Sequence, residues 1–143
     1  MVAGPFVGKT VYLDANPIIY AFENPRAYPG LINHLIAPLD RGEIRVVTST
    51  ITLTEVLMHP IKAGDTILEN AYRRFLVPAD FFEIMPVDIK IAEHAAALRA
   101  QFGLRTPDAI HVSTYVLATC DVFLTRDRAL ERAGIRVVSP DSL

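Results

Sequence analysis

The fold is indicated most clearly by residues 104–130, which read LRTPDAIHVSTYVLATCDVFLTRDRAL. A Thr-Pro pair followed by an apolar stretch predicts a helix over 106–119, with Asp108 in its first turn. The run DVFLT at 121–125 predicts a buried strand, and Asp127 then begins a second, shorter helix. Because a helix followed by a parallel strand returns the chain to the same edge of a sheet, we expect both aspartates to lie at one edge.

The alternation of strands and helices continues on both sides of this stretch. Short runs of β-branched and aromatic residues, bounded by Gly, Pro or Asp, predict further strands. The expected strands are 9–13, 44–48, 82–87, 121–125 and 135–138. This pattern predicts an α/β fold, a three-layer α/β/α sandwich around a central, mostly parallel sheet of about five strands. We expect a single domain over residues 1–143, with residues 1–8 as a loose leader.

Capping signals predict where the helices begin and end. Asn16 is a favourable N-cap and Pro17 suits the first helical position, so a helix is expected to start there. Thr52 and Glu55 have the spacing of a capping box, and His59-Pro60 is expected to end that helix. The other expected helices are 31–42, 63–77, one capped by Asp88 and closed by Gly103, and one ended by Gly134.

The composition excludes several classes of protein. Of the 143 residues, 51% are hydrophobic and 21% are charged, which supports a sizeable core and argues against disorder. Cys120 is the only cysteine, so no intrachain disulfide can form, and we expect a cytoplasmic protein. A small buried thiol is a better interpretation of Cys120 than a nucleophile, because no base lies beside it. No signal peptide or membrane-spanning segment is expected, and a net charge of −2 does not by itself indicate a nucleic-acid binder.

Four acidic residues fall at or near the predicted carboxyl edge of the sheet. They are Asp14 directly after the first strand, Glu55 shortly after the second, Asp108 in the first turn of its helix, and Asp127 shortly after the fourth strand. Grouped carboxylates would repel one another unless a cation neutralised them, and Mg²⁺ and Mn²⁺ prefer oxygen ligands. The pattern therefore predicts a divalent-metal site, where a metal can activate a water and stabilise charge on a phosphate.

Each acid also has a purely structural interpretation. The helix dipole alone favours Asp108, and Asp127 could be an N-cap. Glu55 could complete the capping box with Thr52, and Asp14 could be an ordinary turn residue. The common position of the four acids at one sheet edge favours the metal site over four separate explanations.

Uncharged polar residues and a histidine lie close to these acids. Asn16, Ser49 and Thr125 are expected near the same edge, where they could orient metal ligands or serve only as caps and strand ends. His111 shares a helix face with Asp108, three residues earlier. It could touch the substrate or a ligand carboxylate, but a partly buried polar residue beside the acids is the simpler interpretation.

Basic residues flank two of the acids. Arg105, Arg126 and Arg128 could hold phosphates, and they could equally pair with the neighbouring carboxylates or be solvated surface. Other chemistries are not supported. The sequence has no Cys/His spacing suited to zinc, no serine in a nucleophile elbow, and no Gly-rich phosphate loop, since Gly8-Lys9-Thr10 precedes a strand.

Four segments together resemble the PIN domain, and within it the VapC-type toxins of toxin–antitoxin pairs. The segments are LDANPIIYAFE at 13–23, TLTEVL at 52–57, RTPDAIHVSTYVL at 105–117 and DVFLTRDRAL at 121–130. The resemblance extends from about Thr10 to Val138, and its TPDAIH and FLTRD parts are the most specific.

The resemblance implies a compact α/β/α domain with Mg²⁺- or Mn²⁺-dependent ribonuclease activity. It assigns catalysis and metal binding to Asp14, Glu55, Asp108 and Asp127, and the hydroxyl of the last motif to Thr125. It also implies a homodimer and a cognate antitoxin that inserts near the acidic pocket. Ala15 stands where Thr or Ser is common, so a hydroxyl is missing there, but no acid is.

The function expected from these observations is a metal-dependent endoribonuclease that acts as the toxin of a toxin–antitoxin pair and cleaves RNA with a metal-activated water. The residues expected to support the acids or contact the substrate are Asn16, Thr125, Arg105 and Arg126. The alternatives are a stand-alone RNA-processing nuclease, a module that binds RNA or protein without cutting, and a receiver-like or phosphatase-like domain. The receiver-like alternative would need a lysine after a late strand, which the sequence lacks.

Overall fold

The computed structural model describes residues 4–77 and 82–143. The strands are β1 (Thr10–Leu13), β2 (Arg45–Ser49), β3 (Phe82–Met85), β4 (Val122–Leu124) and β5 (Val137–Val138). The α-helices are α1 (Ala15–Glu23), α2 (Pro29–Leu31), α3 (Ala37–Asp40), α4 (Thr50–Ala63), α5 (Thr66–Leu76), α6 (Ile89–Phe102) and α7 (Thr106–Leu117). A π-helical segment, Ile32–Ile36, joins α2 to α3, and two short 3₁₀-helices are Arg128–Ala133 and Pro140–Ser142.

The five strands form one sheet in the order β3-β2-β1-β4-β5, and every pair is parallel. In the centre, Val11 of β1 pairs with Val46 of β2 on one side and with Val122 of β4 on the other. Since all strands point the same way, their carboxyl ends share one edge, and β1 lies in the middle of it. The predicted α/β fold with a parallel sheet is confirmed.

The central strands pack a core on both faces of the sheet. Alternate residues of a strand point to opposite faces, so Val11 and Leu13 face the core formed with α1, α4 and α5, whereas Tyr12 and Phe123 face the core formed with α6 and α7. Tyr12 and Phe123 stack at 4.7 Å between ring centroids in that second core. The two cores give the three layers that the sequence predicts.

The first helix starts one residue earlier than its predicted N-cap. Asp14, and not Asn16, is the N-cap of α1, because its Oδ1 accepts the backbone N–H of Ala15 at 2.7 Å. Asn16 is already helical, and its side chain is therefore available for contacts across the sheet edge.

The predicted capping box of Thr52 and Glu55 is wrong. Ser49 is the N-cap of α4, and its hydroxyl accepts the N–H of Ile51 at 3.2 Å. Thr52 bonds to the Thr48 hydroxyl instead, at 2.8 Å, so Glu55 points to other partners. The expected end at Pro60 is also wrong, because α4 continues through Pro60 to a left-handed Gly64.

Part of the expected leader packs against the core. Residues 5–8 form turns, and Phe6 is buried among the residues of the first core. Residues 1–3 lie outside the described part of the chain. Within the ranges 4–77 and 82–143, no helix is long and apolar enough to cross a membrane.

Candidate metal centre

The carboxyl ends of β1, β2 and β4 carry the polar residues of the candidate site. Asp14 follows β1, and its backbone N–H donates to the carbonyl of Leu124 at the end of β4. Thr125 directly follows β4, and α4 rises from the end of β2 and carries Glu55 on its second turn. Ligand sites of parallel sheets typically lie outside this edge, where the order of strands changes direction.

A cluster of three potential ligands lies at this edge. One atom each from Asp14, Glu55 and His111 lies within 4.8 Å of the others. The Nε2 of His111 lies 2.5 Å from Glu55 Oε1 and 3.5 Å from Asp14 Oδ1. The sheet edge therefore brings together two of the four predicted acids, together with a histidine that was not in the predicted ligand set.

His111 is 2% exposed and is held from both sides. Its Nδ1 lies 2.6 Å from the hydroxyl of Tyr12, which is completely buried in the second core. Burial acts to lower the pKa of His111, but the hydrogen bond to Glu55 and the charges of Asp14, Glu55 and Asp108 outweigh it and raise the pKa. Burial, with the charges of Asp14 and Glu55, raises the pKa of Tyr12 well above its ordinary value, so the phenol stays protonated.

Thr125 and Asn16 orient the Asp14 carboxylate. The buried Thr125 hydroxyl donates to Asp14 Oδ2 at 2.6 Å and accepts the backbone N–H of Asp127 at 3.1 Å. The Nδ2 of Asn16 lies 3.5 Å from Asp14 Oδ2 and 3.4 Å from the Thr125 oxygen. The Oδ1 of Asn16 accepts the N–H of Arg126 at 3.1 Å, so this amide ties the end of β4 to the start of α1.

Asp108 and Asp127 lie outside the tight cluster. The Oδ2 of Asp108 pairs with Arg105 Nε at 3.1 Å, and Asp127 Oδ1 accepts the N–H of Ala129 at 3.1 Å as the N-cap of its 3₁₀-helix. Both remain close enough to act electrostatically at the site. Asp108 contributes to the raised pKa of His111, and Asp127 contributes with Asp108 and Glu55 to the raised pKa of Arg105.

Each arginine that flanks the acids has an acidic partner. Arg105 pairs with Asp108, Arg128 with Glu131 at 2.8 Å, and Arg126 with Asp141 at 3.0 Å. The Arg126 guanidinium also donates to the Tyr20 hydroxyl at 3.3 Å and lies over the ring of Tyr20, which stacks on Tyr28 at 4.6 Å. The Arg126 side chain is thus held by an acid on one side and an aromatic pair on the other.

The structure places Asp14 and Glu55 at the predicted edge of the sheet. It also places His111 against the carboxylate of Glu55, a contact that the sequence left open, whereas the contact of Tyr12 with His111 was not predicted. Tyr12 carried no signal, because a tyrosine in a buried strand is usually core, and its hydrogen bond joins residues 99 positions apart.

The amino-acid sequence matches the family model described as PIN domain over residues 11–135. The chain belongs to the PIN domain family. No protein of curated function matches the sequence at a significant level.

The solved structures similar to this PIN domain include a toxin–antitoxin complex. A toxin–antitoxin complex from Klebsiella pneumoniae aligns with a TM-score of 0.68 and 29% identity, over 91% of this chain and 97% of that chain. FitAcB from Neisseria gonorrhoeae aligns with a TM-score of 0.72 and 21% identity, over 93% of this chain and 99% of that chain. VapBC2 from Rickettsia felis, bound to a promoter DNA fragment, aligns with a TM-score of 0.72 and 14% identity, over 91% of this chain and 98% of that chain. The last two support the fold alone.

The family membership places the acidic cluster in a nuclease fold. The site offers two carboxylates, whose hard oxygen atoms suit a small divalent cation. A hydroxyl and an amide lie around them, and Glu55 is partly exposed to solvent. The arrangement of donors in this structure is therefore consistent with a metal site of the kind typical of PIN nucleases.

Proposed function

We propose that this PIN domain is a Mg²⁺- or Mn²⁺-dependent endoribonuclease and the toxin of a toxin–antitoxin pair. The observation that carries the proposal is the convergence of the Asp14 and Glu55 carboxylates, with His111, at the carboxyl edge of the sheet in a nuclease fold. The whole chain, residues 1–143, is proposed to work as one catalytic unit.

The proposed ligands of the ion are Asp14 and Glu55, with Asp108 and Asp127 acting directly or through water. When bound, the ion supplies the activation of water and the neutralisation of charge at a scissile RNA phosphate. The side chain of Asp14 is 14% exposed and that of Glu55 is 35% exposed, so the pair is held by the protein yet accessible from solvent.

The surrounding residues are proposed to orient the acids and hold the RNA. Thr125 and Asn16 fix the Asp14 carboxylate through the hydrogen bonds described above. Arg105 and Arg126 lie beside the acids with exposed guanidinium groups, and each is proposed to exchange its carboxylate partner for an RNA phosphate.

The proposed partners are a cognate antitoxin and a second copy of this chain. The similarity to the Klebsiella pneumoniae toxin–antitoxin complex over nearly the full length of both chains supports the antitoxin as a partner. Co-expression with the product of the neighbouring reading frame tests it: a specific antitoxin forms a stable complex and suppresses cleavage, whereas a stand-alone RNA-processing nuclease has no such inhibitor.

Cleavage of a panel of structured RNAs, with Mg²⁺, with Mn²⁺ and with EDTA, tests the activity. We expect metal-dependent cuts in the wild type and none in Asp14→Asn or Asp108→Asn, because Asn keeps the shape but not the charge. Asp121→Asn is the matched control, since Asp121 accepts the Thr10 N–H at the opposite edge of the sheet and an amide can still do so. Full activity in both site variants would rule out the proposed centre.

A further inference from the structure

Two tyrosines and an arginine form a stacked row beside the candidate metal centre. The rings of Tyr20 and Tyr28 lie nearly parallel, at an interplanar angle of 8° and with 4.6 Å between their centroids. The guanidinium carbon of Arg126 lies over the ring of Tyr20, 5.7 Å from its centroid, and a guanidinium nitrogen donates to the Tyr20 hydroxyl at 3.3 Å. Tyr20 is therefore the member of the row that connects the tyrosine pair to the arginine.

The row starts at the residues that hold Asp14 in place. Tyr20 lies four residues after Asn16 on α1, so the two side chains share one face of the helix. The Asn16 amide lies 3.5 Å from Asp14 Oδ2 and accepts the backbone N–H of Arg126 at 3.1 Å. Arg126 also directly follows Thr125, whose hydroxyl donates to Asp14. An RNA strand with one phosphate at the proposed metal position therefore has a neighbouring nucleotide beside the row.

The tyrosines are anchored in the fold, whereas the arginine is held only at the surface. Tyr20 and Tyr28 are half-buried and pack against the first core. The Arg126 side chain is 53% exposed, and its ion-pair partner Asp141 is 49% exposed. An ion pair this exposed contributes little to stability, so Arg126 can exchange Asp141 for an RNA phosphate at small cost. That exchange draws the guanidinium away from the Tyr20 ring and uncovers an aromatic face.

An uncovered tyrosine ring at this position suits an unpaired base. Every base has a π-face, and proteins that bind single-stranded RNA stack such faces on aromatic side chains. In a duplex the bases are already stacked on one another, and the helix offers proteins mainly its phosphates and 2′-hydroxyls. One unpaired nucleotide can give its phosphate to Arg126 and its base to Tyr20 at the same time.

We propose that the ring of Tyr20, supported by Tyr28, is a stacking platform for one unpaired base of the RNA substrate. Arg126 covers the platform until its guanidinium moves to the phosphate of the same nucleotide. The inference rests on the proposed function, because the ligand is the RNA that the site is proposed to cleave. It assigns a substrate class, namely RNA with an unpaired nucleotide next to the scissile phosphate. A fully paired RNA supplies the phosphate without a base face, and we expect it to bind more weakly than a hairpin loop.

The first experiment removes the base and the ring, separately and together. In the Asp14→Asn background and without metal, fluorescence anisotropy measures the binding of an RNA hairpin whose loop nucleotides are made abasic one at a time. Loss of the stacked base should weaken binding about 5- to 150-fold at one loop position. Tyr20→Leu should weaken binding of the intact hairpin by a similar factor, and it should add little when that base is already missing.

Variants of three aromatic residues distinguish the loss of stacking from a loss of stability. Tyr20→Phe retains the ring, so it should bind more tightly than Tyr20→Leu and keep the penalty for the missing base. Tyr28→Leu removes the support of the platform and should cause a smaller loss than Tyr20→Leu. The matched control is Phe75→Leu, because Phe75 is also a half-buried aromatic residue but packs against Phe82 at the amino end of β3. It should lower stability in urea without changing the Kd of either hairpin.

The second experiment requires no substitution in the platform. Under ultraviolet light, 5-iodouridine crosslinks to an aromatic side chain on which it stacks. When it replaces each loop nucleotide in turn, we expect a crosslink to Tyr20 at the position where the abasic nucleotide weakens binding most. Tandem mass spectrometry of the crosslinked peptide identifies the residue. This measurement carries the test if Tyr20→Leu does not fold.

The outcomes separate this inference from the proposed function. A penalty for the missing base that is as large in Tyr20→Leu as in the Asp14→Asn parent would overturn the platform while leaving RNA binding intact. Crosslinks that form only at other residues, or a paired RNA bound as tightly as the hairpin, would overturn it as well. Absence of RNA binding by both the wild type and Asp14→Asn would contradict the proposed function itself, and this inference with it.

Discussion

At the scale of single residues, Thr125 joins the segment that carries Asp14 to the segment that carries Asp127. It is completely buried, and its one hydroxyl donates to Asp14 and accepts from the Asp127 N–H. Because one hydroxyl makes hydrogen bonds to both segments, Thr125 contributes both to the stability of the fold and to the geometry of the site.

We expect Thr125→Val to lower the free energy of unfolding by about 1–3 kcal/mol, because Asp14 loses a buried hydrogen bond, and to reduce RNA cleavage by about 10- to 100-fold. Thr125→Ser should restore most of both. Thr52→Val is the control, since its hydroxyl bonds to Thr48 and not to an acid. Urea denaturation and cleavage rates measure the two effects, and an active Thr125→Val would contradict the positioning of Asp14.

Arg105 is exposed to 79% and paired with Asp108, so its contribution to RNA binding can be isolated. In the Asp14→Asn background, which is expected not to cleave RNA, Arg105→Gln should weaken RNA binding and lower the dependence of log K on log salt by about 0.7 for one lost phosphate contact. Arg41→Gln, whose partner Glu43 lies at the opposite end of the sheet, should leave the dependence unchanged. Equal slopes for the two variants would exclude Arg105 as a phosphate contact.

The reactivity of the Cys120 thiol can be measured directly, and the sequence does not favour Cys120 as a nucleophile. Burial raises the pKa of Cys120 to about 12, and the raised pKa favours the neutral thiol. At pH 8 about one thiol in ten thousand is ionised, against about a quarter for an unperturbed cysteine. We expect iodoacetamide to modify the folded protein far more slowly than the urea-unfolded protein, and mass spectrometry measures the difference. Rapid labelling of the folded protein would contradict the raised pKa of the half-buried Cys120 thiol.

The site could be predicted from the sequence only where its residues lie at the end of a strand or shortly after it. Asp14 directly follows β1, and the position of the carboxyl edge follows from the direction of the strands. The bond from Tyr12 to His111 depends on which face of β1 each residue occupies and on how α7 rotates over that face. Neither is set by the local sequence, and so the bond could not be predicted.

At the scale of elements, α5 is tied to α1 by one buried hydroxyl. Tyr72 is 0% exposed, and its hydroxyl donates to Glu23 at 2.5 Å, while its ring packs against Phe22. Burial, with the hydrogen bond and charge of Glu23, raises the pKa of Tyr72, so this donor persists into alkaline solution.

We expect Tyr72→Phe to lower the free energy of unfolding by about 1–3 kcal/mol, because a buried partner of a charged group is lost. RNA cleavage at low temperature should be unchanged, since the contact lies outside the site. Tyr115→Phe, which loses only a long hydrogen bond, should cost less. Denaturant unfolding of the three proteins measures the order, and equal stabilities would show that the Glu23 bond contributes nothing.

The sequence predicts the presence of α1 and α4 better than it predicts their N-cap residues, and the reason is physical. Asn16 and Thr52 are both good caps by residue type, yet Asp14 and Ser49 cap α1 and α4, because the strands end at those residues. A short polar side chain just after a parallel strand caps the next helix before a later candidate can. Glu55 is consequently not used in a cap and remains available for the site.

At the scale of the whole molecule, Gly30 packs closely against Leu143. Gly30 is buried, and a β-carbon there would lie 2.7 Å from Leu143 Cβ and closer still to its carbonyl group. The 3₁₀-helix that precedes Leu143 carries Asp141, which holds Arg126 beside the candidate site. A packing contact far from the acids is therefore connected to a proposed substrate residue.

We expect Gly30→Ala to lower the free energy of unfolding by about 1–3 kcal/mol through overpacking. It should also strengthen RNA binding in the Asp14→Asn background, because displacement of Asp141 frees Arg126 to pair with an RNA phosphate. Asp141→Asn should reproduce the change in binding without the full loss of stability. Thermal unfolding and RNA titration measure both, and a Gly30→Ala variant as stable as the wild type would contradict the close packing of Leu143.

The order of the strands could be predicted only in part. The strand β3, which Pro86 follows, is an edge strand, and a proline is compatible with that position. The insertion of β1 between β2 and β4 follows from the long crossover through α6 and α7, which no local pattern specifies. That crossover brings Asp108 and Asp127 back towards Asp14 and Glu55.

The same crossover makes the molecule divisible. Residues 86–88 form an exposed connection between β3 and α6. A cut there would leave Asp14 and Glu55 on one fragment and Asp108 and Asp127 on the other, with the Tyr12–His111 bond broken between them. Neither fragment would hold a complete set of proposed ligands. A toxic activity split in this way could be produced safely in living cells as two inert pieces, and its return would report when other proteins fused to the fragments meet.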